Sequence, residues 1–422
     1  MSKPFRTVTP EGTEILVEPL PHVRSCALGL WVRRGSRHEA GTEEGLAHFL
    51  EHTVFKGTEA FPTPDEVAEA TDRLGGHVDA FTGKEVACFY GKVLAEQLPD
   101  LARLLGELVT TPRFDPEELA RERSVILEEI AQSEDQPDDW VSELFYSRFW
   151  EGSPLAHPIL GRPDQVSTYG PTEARRFFEA TYRPENLVVT AAGAVSPEAL
   201  MDLLQPILEK LPRGEAHTAD APSRTRPFLL NVPRKDLQQV NLVMGFPGPG
   251  HLSADRAVAN LLSHVLGGGA ASRLFLELRE RRGLCYQVGS YLSPYADTGA
   301  IQITASCAGA QARELVQRTL AECQRVRDLG VTAEELERAK LQARTSLVFS
   351  QESSSSRMFS LAHQAIHQGR LQTLDEQMAE IEAVTQEDLL RVSGELLDPG
   401  QLGLSALGTR KGSEIRPKDL VA

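Results

Sequence analysis

Ala47-His48-Phe49-Leu50-Glu51-His52 and Ala259-Asn260-Leu261-Leu262-Ser263-His264 read as one segment written twice, at an offset of 212. Two further pairs keep nearly the same distance. Glu117-Glu118-Leu119 matches Glu334-Glu335-Leu336 at an offset of 217, and Pro184–Gly193 matches Pro399–Gly408 at 215. One short match could arise by chance; three in the same order argue for a duplicated domain. The copies differ in an informative way. Phe49 and Leu50 become Leu261 and Leu262, so the apolar positions persist and hold a shared fold. His48 and Glu51 become Asn260 and Ser263, so these polar residues serve something only the first copy needs.

Working outward, each half mixes strands and helices. Strands are expected at Glu14–Val17, Cys26–Val32, His77–Thr82, Ala87–Val93 and Leu187–Ala192. Helices are expected near Thr42–Phe55, after the capping box Thr63-Pro64-Asp65-Glu66, after Asp115-Pro116-Glu117-Glu118, and from Ser196 to about Leu211. The stretch 213–227 is rich in Pro, Ala, Thr and Arg, lacks an apolar period and reads as a linker. The expected domains are therefore 1–212 and 228–422. In the second, strands are expected at Val240–Phe246 and Tyr286–Leu292. Helices are expected at Ser253–Leu266, Ala271–Arg281, Gln311–Leu329 and Thr332–Phe349.

Composition narrows the function classes. The chain has 422 residues, 41% hydrophobic and 25% charged, with a formal net charge of -16. That balance is ordinary for a globular protein and argues against nucleic acid as a partner. The five cysteines are scattered and form no C-x-x-C pair, which disfavours a disulfide framework or a thiolate metal site and favours a reducing compartment. The first residues contain no apolar signal core, and no apolar run approaches membrane-spanning length. A cytoplasmic location with no membrane partner is the expectation.

On a helix, His48 and His52 fall on one face one turn apart, so both imidazoles can grip one metal ion. Glu51 projects beside them, placed to take a proton from a water. Leu46, Phe49, Leu50 and Val54 form the stripe that would bury this helix. The order H-x-x-E-H inverts the commoner H-E-x-x-H and is a zinc-peptidase signature. Zinc needs a third protein ligand, and the helix after Asp115 offers Glu117, Glu118, Glu122, Glu128 and Glu129. Glu122 and Glu129 lie two turns apart on one face, so one can bind metal while the other steadies a ligand histidine.

The segment His48–Thr58 resembles the active-site segment of the pitrilysin and insulin-degrading-enzyme superfamily, and most resembles its mitochondrial-processing-peptidase-like branch of bacterial type. The resemblance covers nearly the whole chain. It implies an α+β fold of two duplicated domains, each a mostly antiparallel sheet packed with helices. It implies Zn2+ held by His48, His52 and Glu129, with Glu122 supporting the site and Glu128 a weaker alternative ligand. Gly75–Thr82 resembles the edge strand on which the family lays its substrate, so Asp79, Ala80, Phe81 and Thr82 are expected to bind substrate; the family usually has asparagine at the position of Asp79. Leu278–Tyr286 resembles the segment carrying the family's arginine–tyrosine oxyanion pair, here Arg279 and Tyr286. Arg281 and Arg282 read as surface charges, and His264 as structural.

The function so implied is a zinc-dependent endopeptidase with Glu51 as general base, acting on unfolded peptides or presequence-like segments in an enclosed dimer chamber. A homodimer is expected, with a heterodimer containing a zinc-less paralogue as the other arrangement. The competing reading is a non-catalytic structural or partner subunit. Such chains usually lose part of the motif, which is complete here.

Overall fold

The computed structural model describes residues 4–211 and 223–420. Of the expected linker, residues 213–222 lie outside the described residues, and 223–227 run without regular structure into the next strand. The chain forms two compact units. The first comprises the described residues of Met1–Gln132, His157–Ala221 and Phe349–Thr373; the second comprises those of Ser133–Ala156, Pro222–Val348 and Leu374–Ala422. Neither unit is one continuous stretch of chain.

In the first unit, β1 (Phe5–Val8), β2 (Glu14–Pro19), β3 (Ser25–Val32), β4 (His77–Thr82), β5 (Ala87–Leu94) and β6 (Leu187–Gly193) form one sheet. Its order is β1-β2-β6-β3-β5-β4. The β2–β6 pair is parallel and the other pairs are antiparallel. β3 is apolar along almost its whole length because both of its faces are covered. On one face Leu28 and Leu30 meet Phe49, Leu50, Leu101 and Leu105 in the main core. On the other, Ala27 and Trp31 meet Met358 and Leu361 of the helix Ser354–His363.

The second unit repeats this plan. β7 (Phe228–Val232), β8 (Gln239–Gly248), β9 (Cys285–Pro294), β10 (Gly299–Ala308) and β11 (Gly403–Leu407) are ordered β7-β11-β8-β10-β9. Again one pair is parallel, here the edge pair β7–β11, and the rest are antiparallel. Strand for strand, β2, β6, β3, β5 and β4 correspond to β7, β11, β8, β10 and β9. The second face of this sheet is covered by the helix Pro137–Phe149, whose Phe145 and Phe149 join Val243 and Leu407. Both sheets admit their covering helix at a glycine. A Cβ on Gly29 would lie 2.6 Å from the Met358 sulfur, and one on Gly245 would lie 2.3 Å from the Phe145 ring. The fold is thus α+β and duplicated.

Local signals explain the helix positions. The capping box forms as expected: the Thr63 hydroxyl accepts the Glu66 N–H at 3.3 Å, and Glu66 accepts the Thr63 N–H at 3.0 Å. The helix expected from Thr42 starts only at Leu46, because Gly45 turns the chain with φ 94°, a left-handed conformation. The helix expected over Ala271–Arg281 contains a π-helical turn, Phe275–Glu280. Among the described residues no helix is long and apolar enough to cross a membrane.

Candidate metal centre

The helix Leu46–Val54 buries Leu46, Phe49, Leu50 and Val54 completely. Each such side chain contributes roughly 1.5–3 kcal/mol, so the stripe fixes the helix rotation and with it the direction of His48 and His52. Opposite runs the helix Pro116–Asp135, which presents Leu119, Glu122, Ile126 and Ile130 on its buried face, with Glu129 half-buried beside them. Glu128 points to solvent.

These two helices bring three ligand-type atoms together. One donor atom each from His48, His52 and Glu129 lie within 4.8 Å of one another. Glu129 Oε2 is 3.6 Å from His48 Nε2 and 3.4 Å from His52 Nε2. Two bonds of about 2.1 Å meeting at a tetrahedral angle span roughly 3.4 Å, so the spacing suits zinc, as does a donor set of two imidazoles and a carboxylate. The other ring nitrogen of His52, Nδ1, lies 3.2 Å from Glu122 Oε1. That partner fixes the ring with Nε2 toward the cluster. Glu122 is in turn held by Lys56 Nζ at 2.6 Å.

The electrostatics follow from this crowding. Burial and the neighbouring His52 pull His48 down to about 4. Burial also pulls on His52, but its bonds to Glu122 and Glu129 outweigh that and push it up to about 9. The His52 hydrogen bond leads in holding Glu129 below the ordinary carboxylate range. Burial raises Glu51, with the charges of Glu129 and Asp79 in the same direction and a Thr82 hydrogen bond opposing. Two imidazoles and a carboxylate that converge, beside a carboxyl that burial raises, can bind a metal and set a proton acceptor next to it.

The N-terminus of the helix Leu46–Val54 has no side-chain cap of its own. Glu39, buried, supplies one from outside: its two carboxylate oxygens accept the Gly45 N–H at 2.8 Å and the Ala47 N–H at 2.7 Å. Neither Glu39 nor Lys56 stands out in the sequence. For Glu39 the available signal was negative, a helix start with no Ser, Thr, Asp or Asn at its cap; for Lys56 it was a cation one turn past His52 in the quoted segment.

β4 is the edge strand of its sheet and runs beside the helix Leu46–Val54. Val78 and Ala80 pack toward the core, and the Thr82 hydroxyl donates to Glu51 Oε2 at 2.5 Å. Asp79 and Phe81 face the other way. Asp79 is engaged locally: its Oδ1 accepts the Ala80 N–H at 2.9 Å and its Oδ2 accepts the Tyr90 hydroxyl at 3.3 Å.

Arg279 and Tyr286 belong to the second unit and the cluster to the first. They lie together: the guanidinium carbon sits 4.6 Å from the Tyr286 ring centre and 4.7 Å from that of Phe275. Tyr286 is 77% exposed. Arg281 and Arg282 pair with Glu277, at 3.3 and 2.5 Å. His264, the counterpart of His52, is half-buried beside Gly268 and among the described residues joins no metal-type group.

Residues 14–163 match the model of insulinase, peptidase family M16, and residues 170–343 match that of the peptidase M16 inactive domain. An uncharacterized zinc protease of Mycobacterium bovis is 35% identical over 99% of this chain and 96% of its own length. One of Bacillus subtilis is 36% identical over 91% and 92%. The fold matches a protease from Helicobacter pylori with a TM-score of 0.90 over 96% of this chain and all of that one, at 22% identity. A peptidase M16 inactive domain from Pseudomonas fluorescens also scores 0.90, covering 97% of this chain and 98% of its own. With both halves matched in tandem and full-length similarity to zinc proteases, the chain belongs to the M16 peptidase family.

Proposed function

We propose that this chain is a zinc-dependent endopeptidase of the mitochondrial-processing-peptidase-like branch, hydrolysing unfolded peptides or presequence-like segments. The observation that carries the reading is the meeting of His48, His52 and Glu129, with Glu51 on the helix of the two histidines. In this reading His48, His52 and Glu129 hold the ion, and Glu122 orients His52. When bound, zinc supplies Lewis acidity to a water and to the scissile carbonyl. Glu51 accepts the attacking water's proton and returns it to the leaving amine, a task suited to a carboxyl raised by burial.

The edge of β4, from Asp79 through Ala80 and Phe81 to Thr82, receives an extended substrate backbone by strand addition. A folded protein has no free backbone to offer there, hence the expected preference for unfolded peptides. Arg279 and Tyr286 stabilise the negative charge that develops on the carbonyl oxygen. They come from a second copy of the chain in a homodimer, or from a zinc-less sister chain in a heterodimer.

The test combines metal analysis with digestion of a mixed peptide library. Glu51→Gln should retain zinc and lose nearly all hydrolysis, because an amide cannot accept the proton. His48→Ala should lose both. Near-normal turnover by Glu51→Gln would sink the assignment, and absence of bound zinc in an inactive wild type would favour a non-catalytic subunit.

A further inference from the structure

We infer that Phe275 is a positioning residue for the oxyanion pair, its ring face fixing the direction of Arg279; this rests on the reading that Arg279 and Tyr286 act on substrate. Arginine is long and flexible, and among the described residues no hydrogen bond ends on the Arg279 guanidinium. Its ion pair with Glu280, 3.8 Å from Nε, is beyond hydrogen-bond length. What lies against it are two aromatic rings, Phe275 at 4.7 Å and Tyr286 at 4.6 Å. Both distances are well inside the range where a ring quadrupole attracts a cation. Tyr286 is itself exposed, so Phe275, half-buried against the core, is the anchored member of the trio.

The backbone is built to make this meeting happen. Phe275 and Arg279 both lie in the π-helical turn Phe275–Glu280, a wider turn that rotates later residues off the regular helical face. In the strand, Ser306 pairs with Gln287 but Cys307 pairs with Cys285, which leaves Tyr286 as the extra residue of a β-bulge. Strict alternation from buried Val288 and exposed Gln287 would turn Tyr286 into the core. The bulge turns it outward instead, against Arg279, and returns Cys285 to the core. Two separate irregularities therefore converge on one guanidinium, and both elements are the kind that re-aim side chains at functional sites.

The experiment places mono-, di- and trifluorophenylalanine at position 275 of the zinc-loaded full chain. The readout is cleavage of an internally quenched unfolded peptide chosen from those the wild type cuts. Fluorination leaves ring size nearly constant while draining the negative ring face. The expected result is a stepwise fall in kcat with little change in KM, reaching about fivefold for the trifluoro ring, while zinc content and thermal midpoint stay at wild-type values. Phe275→Tyr should retain activity and Phe275→Leu should match or exceed the trifluoro loss. Wild-type kcat across the fluorinated series, with Arg279→Ala inactive, would overturn the positioning role and leave the oxyanion reading standing. Full activity in Arg279→Ala would overturn that reading and the inference with it.

Discussion

The Thr82 hydroxyl donates a hydrogen bond to Glu51 Oε2 at 2.5 Å, so the last residue of the edge strand is tied directly to the carboxyl beside the metal-type cluster. Strand and carboxyl are thereby set in one frame. Thr82→Val keeps the shape and removes the donor. It should lower kcat by about tenfold through a misdirected base, the scale of one hydrogen bond, and leave bound zinc unchanged. Thr82→Ser should restore most of the rate. Equal turnover in wild type and Thr82→Val would show that Glu51 keeps its direction without this contact.

The Glu39 cap sets a second expectation. Glu39→Ala strands two buried N–H groups at the start of the helix Leu46–Val54, which should cost about 2 kcal/mol or more and loosen zinc retention. The pH dependence has a definite sign. Burial raises Glu39 to about 8 from an ordinary 4.5, against the Ala47 and Gly45 amides and the charge of Lys84. A carboxyl raised in the folded state keeps its proton longer there than in the unfolded chain. Its contribution is therefore present below about 4.5 and lost as pH rises through about 8. Denaturation midpoints measured from pH 5 to 9 should show wild type losing ground to Glu39→Gln across that window. A difference that stays constant from pH 5 to 9 would mean instead that the two amides hold the carboxylate ionised in the folded chain.

What the sequence disclosed and what it hid divide along a physical line. Features fixed by residues close in the chain were legible: the Thr63–Glu66 capping box, the His48–Glu51–His52 face and the strand His77–Thr82. The duplication was legible because apolar spacing survives divergence, and the two sheets repeat it strand for strand. Features that depend on distant partners were not. The Glu39 cap acts on a helix that begins seven residues later, and nothing local asks for it. The strands β1, β7 and β10 escaped notice, β7 because it follows directly on the linker. The packing of Pro137–Phe149 on β8 and β11, and of Ser354–His363 on β3 and β6, follows chain crossings that no periodicity marks. The bulge at Tyr286 is invisible too, since it is defined by the register of β10 rather than by β9 itself.

The choice between adjacent glutamates is a direct test of the metal assignment. Glu129 Oε2 approaches both histidines, whereas Glu128 faces solvent. Glu129→Gln should weaken zinc binding far more than Glu128→Gln, measured by competition with a chelator. Behind the cluster, Lys56 and Glu122 orient His52, so Glu122→Gln should lower zinc affinity by about 10- to 100-fold. Lys56→Met should do the same more mildly, since it removes the holder and not the held. A larger loss from Glu128→Gln than from Glu129→Gln would move the third ligand by one residue.

The last expectation concerns composite sites. The cluster of His48, His52 and Glu129 lies in one compact unit and the Arg279–Tyr286 pair in the other. If the proposed homodimer is correct, each active site takes its metal and base from one chain and its oxyanion pair from the partner. Two inactive variants should then complement each other. Glu51→Gln lacks the base but keeps Arg279 and Tyr286; Arg279→Ala/Tyr286→Phe lacks the pair but keeps the base. A mixed dimer contains one site in which both defects meet and one in which neither is present. At equal mixing and random exchange half the dimers are mixed, so activity should return to about a quarter of the wild-type level if sites act independently. Exchange is followed with an affinity tag on one variant. Recovery near that level supports shared sites between identical chains. Confirmed exchange with no recovery rules that sharing out, and recovery only on adding a distinct zinc-less sister chain would identify the heterodimer as the working form.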